Sequence, residues 1–133
     1  MDDEVRVPIR SDADLVRARA EARALALGLG FSRTDATLIA TAVSEIARNI
    51  VQFASRGEVA ISPVERSGRQ GVTVVARDAG PGISDLEEAL RDGGSSYGGM
   101  GLGLPGCRRL MDEFEISSEV DRGTTVVMTK WRS

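Results

Sequence analysis

The sequence of 133 residues contains no histidine, a single lysine and a single cysteine, and these scarcities exclude several kinds of site. Without histidine, the chain cannot form a serine–histidine triad, a histidine-ligated zinc site or a histidine phosphoacceptor. The only lysine, Lys130, is not part of a Gly-Lys-Ser/Thr step, so a phosphate-binding loop of the Walker type is absent. The His-Arg-Asp catalytic loop of eukaryotic-type protein kinases is excluded because it too requires histidine.

Long apolar runs and concentrated basic charge are missing as well. No run approaches the ~20 residues that cross a bilayer, and the opening MDDEVRV lacks the basic-then-apolar form of a signal peptide. The net charge is −3, with arginines interspersed among acidic residues, unlike the basic patch of a nucleic-acid-binding protein. Cys107 is alone, so no internal disulfide can form. We therefore expect a cytoplasmic protein whose partners include neither a membrane nor nucleic acid.

The length and the apolar fraction of 41% suit a single compact domain over residues 1–133. Strict alternation predicts a strand at 4–10, and capping residues followed by helical spacing predict helices that begin at Ser11 and Ser32. The remaining expected elements are a hairpin of strands at 58–62 and 71–78, a short helix from Ser84, a glycine-rich loop at 92–104, a helix around 105–114 and a final hairpin around 121–123. Strands grouped in hairpins predict an α+β two-layer sandwich, with the helices on one face of a mostly antiparallel mixed sheet.

A polar pair on the second predicted helix is the first candidate for chemistry. In the segment SEIARN, Glu45 and Asn49 are four residues apart, which places them about 6 Å apart on one helix face. Leu38, Ile46 and Phe53 are expected on the buried face of the same helix. Polar groups that face a core are costly unless they are satisfied. The pair therefore belongs either to a binding site or to a solvated side of an amphipathic helix.

The segment DAGPGI follows an apolar strand and turns the chain sharply. A carboxylate at the strand end, Asp78, could accept a hydrogen bond from an exocyclic amine. Gly80 and Gly82 have no Cβ, so a flat ring could approach the backbone there. A tight turn in which the aspartate caps its own backbone explains the same residues.

Two further segments are rich in glycine. In GGMGLGL (98–104), backbone N–H groups ahead of a predicted helix would suit phosphate oxygens, although a lid or linker loop explains the composition equally. The match of residues 101–106 to G-x-G-x-x-G is rejected, because that fingerprint must directly follow a strand. RGTT (122–125) by itself indicates only a hairpin turn that enters a strand.

In their order along the chain, SEIARN, RDAGPGI, GGMGLGLPG and RGTT resemble the N, G1, G2 and G3 boxes of the GHKL ATPase superfamily. Over essentially its whole length, the chain is similar to the small serine/threonine kinases of that superfamily. It most resembles the switch kinases of the bacterial stressosome, which are relatives of the anti-sigma-factor kinases. The resemblance implies the Bergerat ATP-binding fold, with ATP and Mg²⁺ as cofactors.

The resemblance also implies roles for individual residues. Glu45 would be the catalytic general base, and Asn49 would bind both ATP and Mg²⁺ through its side-chain oxygen. Asp78 would accept a hydrogen bond from the adenine amino group, Gly82 would let the ring pack closely, and Thr124 would reach adenine through water. The other ATP-binding positions that it implies are Gly80, Ile83, Gly98, Gly99, Met100, Gly101, Leu102 and Gly103.

The function implied by the resemblance is an ATP-dependent protein serine/threonine kinase in bacterial stress-response signalling. Its substrates would be STAS-domain scaffold and antagonist proteins, which would also sequester it. Once released, it would bind and activate a downstream regulator such as a PP2C-type phosphatase. Two other interpretations are an anti-sigma factor kinase and a non-catalytic module whose nucleotide only controls partner binding. Glu45 favours catalysis, because a pure nucleotide switch needs no base.

Overall fold

The computed structural model describes residues 4–83, residue 90 and residues 103–133. In chain order, its elements are β1 (Val5–Ile9), α1 (Asp12–Gly28), α2 (Arg33–Phe53), β2 (Gly57–Arg66), β3 (Arg69–Asp78), α3 (Gly103–Leu110), β4 (Glu113–Glu119) and β5 (Gly123–Trp131). The short helix predicted from Ser84, apart from Leu90, and the glycine-rich loop up to Leu102 lie outside the described residues. None of the helices in the described ranges has the length and apolar character that a membrane crossing requires.

The five strands form one sheet in the order β1-β2-β3-β5-β4, and each neighbouring pair is antiparallel. Alternation decides which side chains face the helices: Val7 pairs with Val59, Val59 pairs with Ala76, and all three are buried. Arg6 and Pro8, at the intervening positions of β1, are exposed. The predicted α+β sandwich is confirmed, and between the described strands the pairing is antiparallel throughout.

The two long helices begin where their capping residues predict. The Ser32 Oγ accepts a hydrogen bond of 3.0 Å from the Asp35 N–H, a cap that typically contributes about 1 kcal/mol. At the start of α1 the arrangement is reversed, because Ser11 is the N-cap residue but makes no side-chain cap bond. Instead, Asp14 Oδ2 accepts a 2.9 Å bond from the Arg10 N–H. The Asp14 side chain thus reaches back to the residue before the N-cap, one position earlier than in a capping box.

Two boundaries differ from the sequence prediction. The β2–β3 connection is a two-residue turn, because Ser67 (φ 53°) and Gly68 (φ 80°) both adopt the positive φ that a type I′ turn requires. The two strands therefore include most of the residues between the segments predicted as strands, 58–62 and 71–78. The helix expected at 105–114 ends at Leu110, because the residues that follow form hydrogen bonds with β5. The Asp112 N–H donates to the Thr129 carbonyl at 2.9 Å.

The core lies between the sheet and the helix layer and is aliphatic, as the composition predicts. Ala18 and Ala22 on α1 and Ala36 on α2 are fully buried, and their small side chains let the two helices pack closely. Cys107 on α3 belongs to the same core, where it acts as a small apolar side chain.

Candidate active site

A cleft of about 430 Å³ lies between α2, the end of β3 and the start of α3. Three polar side chains line it: Asn49, Asp78 and Thr124. The apolar part of the lining includes Ile46, Ile50, Phe53, Ala76, Leu104 and Val126. An apolar slot with a few converging polar groups can hold a flat heterocycle and fix its orientation.

Antiparallel pairing explains why residues from distant segments meet in this cleft. Asp78, the last residue of β3, is directly opposite Thr124 of β5 in the sheet register. Asp78 Oδ1 accepts a 2.9 Å hydrogen bond from the Gly80 N–H, which is the self-capping turn that the sequence allowed. The other oxygen, Oδ2, accepts no hydrogen bond from a described residue. The turn and the binding interpretation of Asp78 are therefore compatible, since each uses a different oxygen.

Ser118, which the sequence analysis did not identify, forms a hydrogen bond with Thr124. Ser118 Oγ accepts a 2.7 Å hydrogen bond from the Ile83 N–H and lies 3.1 Å from the Gly123 carbonyl and 2.8 Å from Thr124 Oγ1. A serine hydroxyl has one proton, so when it donates to Gly123 it must accept from Thr124. Thr124 Oγ1 then keeps its lone pairs to accept a hydrogen bond from a ligand or a water. Only the pairing of Ser118 with Thr124 across β4 and β5 reveals this role.

The carboxylate of Glu45 is held at the N-terminal end of α3. The residue is only 9% exposed, which excludes the solvated-face interpretation for it. Its Oε1 accepts a 2.7 Å bond from Arg48 Nη1, and its Oε2 accepts a 3.3 Å bond from the Gly103 N–H. A guanidinium group and a backbone N–H at a helix N-terminus therefore fix the position of this carboxylate. Arg48 is thus an ion-pairing residue of the site.

The packing of the protein itself also requires glycine at both glycine positions of DAGPGI. Gly82 has a φ of +77°, and a Cβ there would lie 2.1 Å from the Glu119 carbonyl oxygen. A Cβ on Gly80 would lie 2.6 Å from the Ala54 Cβ. The sequence analysis predicted only the approach of a ligand ring. The glycines are also needed because the β4–β5 turn and the end of α2 press against this segment.

The structure brings together part of the set that the resemblance assigned to ATP. Asn49, Asp78, Gly82, Ile83 and Thr124 line the cleft. Gly80 shapes the turn beside it, and Gly103, the first residue of α3, donates to Glu45. The other lid positions, Gly98, Gly99, Met100, Gly101 and Leu102, lie outside the described residues. The prediction of a buried Phe53 is wrong, because its side chain is 36% exposed and lines the cleft.

The thiol of Cys107 lies behind the site and is expected to be inert. Burial, together with the negative charge of Glu45, raises the pKa of this thiol from 9.0 to about 12. The neutral thiol therefore stabilises the fold fully below pH 9, and this contribution is lost as the pH rises from 9 towards 12. At pH 8, the three-unit difference lowers the reactive thiolate fraction about a thousandfold relative to the unfolded chain.

Modification by iodoacetamide at pH 8 should accordingly be at least about a hundredfold slower for the native protein than for the protein in urea. Mass spectrometry of quenched time points measures both rates on Cys107, the only cysteine. Similar rates in the two conditions would contradict the burial of the thiol.

Comparison with known proteins agrees with this fold. The family profile of the histidine kinase-like ATPase domain matches residues 9–130, so the chain belongs to that family. The chain is 44% identical to the serine/threonine-protein kinase RsbT of Bacillus subtilis (strain 168) over 131 residues, 98% of each chain. This full-length similarity shows that the chain is a protein serine/threonine kinase, and its family implies the use of ATP.

Two other relatives are more distant. The chain is 35% identical to the anti-sigma F factor of Geobacillus stearothermophilus over 103 residues, which are 72% of this chain and 69% of that protein. The crystal structure of the RsbU and RsbW domains of Rv1364c from Mycobacterium tuberculosis matches 98% of this chain and 33% of its own, with a TM-score of 0.65 and 19% identity. At that identity, the structural likeness shows the fold alone. The relatives together imply regulatory partners.

Proposed function

We propose that the cleft binds MgATP and that the kinase transfers the γ-phosphoryl group to a serine or threonine of a STAS-domain protein. The observation that carries this proposal is the placement of Asp78, Thr124 and Asn49 in one apolar cleft. Glu45 is not part of that lining, but it lies four residues before Asn49 on α2 and accepts a hydrogen bond from Gly103, the neighbour of the lining residue Leu104. This arrangement supports the proposal because phosphoryl transfer requires the nucleotide and the attacking group to be held close together.

Asp78 and Thr124 are the candidates for recognising the base of the nucleotide. The unengaged Oδ2 of Asp78 can accept a hydrogen bond from the adenine amino group, and Thr124 Oγ1 can accept a hydrogen bond from a bridging water. The aliphatic side chains of Ile46, Ile50 and Val126 would cover the faces of the ring. The removal of the ring from water supplies affinity, while the two polar groups supply selectivity for adenine.

The donor set of the cleft fits a magnesium ion that arrives with the phosphates. In the ranges that the structure describes, no three His, Cys, Asp or Glu side chains form a metal-binding group. Mg²⁺ prefers octahedral oxygen ligands and usually keeps several waters, so it needs few protein ligands when phosphates are present. The side-chain oxygen of Asn49 is the protein ligand that we propose. Bound Mg²⁺ would neutralise the negative charge that develops on the transferred group.

Glu45 is the proposed general base. In the reaction, the hydroxyl oxygen of the substrate forms a bond to the γ-phosphorus, the bond from that phosphorus to the bridging oxygen of ADP breaks, and the hydroxyl proton passes to Glu45. Arg48 and the Gly103 N–H hold the carboxylate in a defined position before the substrate arrives. Positioning suffices for much of the effect, because phosphoryl transfer passes through a loose transition state.

The proposed partners follow from the similarity to the stressosome switch kinases. We propose that a STAS-domain scaffold and a small STAS-domain antagonist serve as substrates and hold the kinase in the cytoplasm until they are phosphorylated. The free kinase would then bind and activate an output protein such as a PP2C-type phosphatase. The full-length match to RsbT at 44% identity supports this assignment over an anti-sigma factor kinase, which is the second candidate.

The decisive experiment follows the label from [γ-³²P]ATP with Mg²⁺ to purified candidate partners. Label on a serine or threonine of a STAS-domain protein, with stable binding to that protein before labelling, is the expected result. Tight, nucleotide-dependent binding to a sigma factor would favour the second candidate. Partner binding without label transfer under any condition would favour the non-catalytic module.

Conversion of Asp78 to asparagine should weaken ATP binding about 10–100-fold. The new amide can still accept from the Gly80 N–H through its oxygen, but its NH₂ group then faces the adenine amino group, donor against donor. An unsatisfied hydrogen-bonding group of this kind costs about 1–3 kcal/mol. Isothermal titration calorimetry measures the change, with Asp121→Asn, an exposed position in the β4–β5 turn, as the matched control. Equal affinities of the two variants would remove Asp78 from the proposed site.

A further inference from the structure

A second, open groove of about 1070 Å³ lies at the sheet corner where β1 ends, β2 begins and β3 ends. Three arginines line it, Arg10, Arg56 and Arg77, together with Pro8 and Glu58 among other residues. Neither the arginines nor these two neighbours belong to the lining of the proposed nucleotide cleft. The groove is therefore a separate surface feature, although it meets the cleft at Asp78, which lines both.

Strand register explains why the three arginines converge. Ile9, the last residue of β1, is opposite Gly57, the first residue of β2, and Gly57 is also opposite Asp78, the last residue of β3. Arg10, Arg56 and Arg77 are the immediate chain neighbours of these three paired positions. Positive charges from three separate segments are thus brought to one corner of the sheet.

The three arginines outnumber the two acidic residues in the groove lining, Glu58 and Asp78, so the groove has a net positive charge. All three are exposed, and their guanidinium groups have neither an ion pair nor a hydrogen bond to a described residue. Of the two acidic residues, Glu58 accepts from Arg6 at 3.1 Å, whereas Asp78 accepts from the described residues only through Oδ1, from the Gly80 N–H, and so offsets part of the positive charge.

Some arginines elsewhere on the surface are paired, unlike this group. Arg66 pairs with Glu113 at 2.9 Å and lies over the Trp131 ring, whereas the guanidinium groups of the groove pair with no acidic side chain in residues 4–83 or 103–133. Like charges that share a groove repel one another, and an incoming anion relieves that repulsion. Guanidinium groups bind carboxylates in a bidentate manner, which suits Asp and Glu side chains.

We propose that this groove docks an acidic segment of a partner protein, one that presents two or three Asp or Glu side chains to Arg10, Arg56 and Arg77. A protein is favoured over nucleic acid because the chain has a net charge of −3 and no aromatic side chain of the described residues lines the groove for base stacking. Because the groove adjoins Asp78, the docked segment would lie beside the nucleotide of the proposed function. The docking itself does not require phosphoryl transfer.

The test measures the binding of a fluorescein-labelled ten-residue polyglutamate peptide by fluorescence anisotropy at low salt. The groove variant carries Arg10→Gln, Arg56→Gln and Arg77→Gln together. The matched control carries Arg17→Gln, Arg19→Gln and Arg23→Gln, which remove three exposed arginines of α1 and change the net charge equally. We expect the groove variant to bind at least about tenfold more weakly than the wild type, with a smaller dependence on salt, and the control to lose less than about twofold.

Several results would overturn the inference. Equal losses in the two triple variants would show that only net charge matters. Tighter binding of a single-stranded oligonucleotide of the same length, lost in the groove variant, would assign the groove to nucleic acid. A change from dimer to monomer in the groove variant alone, seen by analytical ultracentrifugation, would assign it to a second copy of this chain.

A separate readout distinguishes failure of this inference from failure of the proposed function. ATP binding by calorimetry and the thermal unfolding midpoint should be unchanged in the groove variant. Weaker peptide binding with normal ATP binding supports the docking groove, whether or not the kinase proposal holds. A loss of both properties at once would mean that the substitutions disturb the sheet corner, and it would contradict the independence of groove and cleft.

Discussion

Replacement of Glu45 by glutamine is expected to lower the rate of phosphoryl transfer about 10²–10⁴-fold, the usual contribution of a positioned general base. Glutamine has nearly the same volume, and its carbonyl can still accept from either Arg48 or the Gly103 N–H, so the local fold should persist. What it cannot do is take a proton from the substrate hydroxyl. ATP affinity should therefore change little, while the single-turnover rate falls.

The measurement is rapid-quench transfer of label from [γ-³²P]ATP to a STAS-domain substrate, with calorimetry for ATP on the same preparations. Glu65→Gln on β2 is the matched control, because this glutamate is exposed and forms no ion pair with a described residue. Transfer at the wild-type rate by Glu45→Gln would remove Glu45 from the role of base. A large loss of ATP affinity would instead indicate that the carboxylate organises the nucleotide site through α3.

Gly82→Ala is expected to destabilise the protein by about 2–5 kcal/mol. Two costs add: the positive φ of +77° disfavours any residue with a Cβ by about 1–2 kcal/mol, and overpacking against neighbouring atoms costs about 1–3 kcal/mol. The new methyl group would lie 2.1 Å from the Glu119 carbonyl, which is backbone and cannot rotate away. The β4–β5 turn must move, and Thr124 moves with it, so ATP binding should weaken as well.

Two other glycines separate these costs in urea unfolding measurements. Gly68 has a φ of +80°, but a Cβ added there would meet no described atom within 4 Å, so Gly68→Ala should cost only the conformational part, about 1–2 kcal/mol. Gly28, in the last turn of α1, has neither constraint, and Gly28→Ala should be neutral or slightly stabilising. If Gly82→Ala lowered the free energy of unfolding no more than Gly68→Ala does, the close contact with Glu119 would not contribute to the destabilisation.

Local signals predicted most of the fold. Helical spacing and capping residues located α1 and α2, and alternation located the strands, because both patterns need only a few consecutive residues. The prediction was wrong where residues distant in the sequence determine the local structure. The end of α3, for example, depends on β5, which forms hydrogen bonds with Asp112. Phe53 has the helical spacing of a core residue but lies at the cleft, since none of the described elements covers that end of α2 well enough to bury it.

The sequence by itself excluded several kinds of chemistry and identified the candidate site residues, because boxes such as SEIARN and DAGPGI are contiguous in the chain. Only the tertiary structure decided how these residues are held. The bond from Gly103 to Glu45 spans 58 positions, and the bond from Ile83 to Ser118 spans 35. The arginine groove likewise depends on the register of three strands. Such contacts follow from strand pairing and helix packing, which bring distant segments together. The residue pattern within either segment does not reveal them.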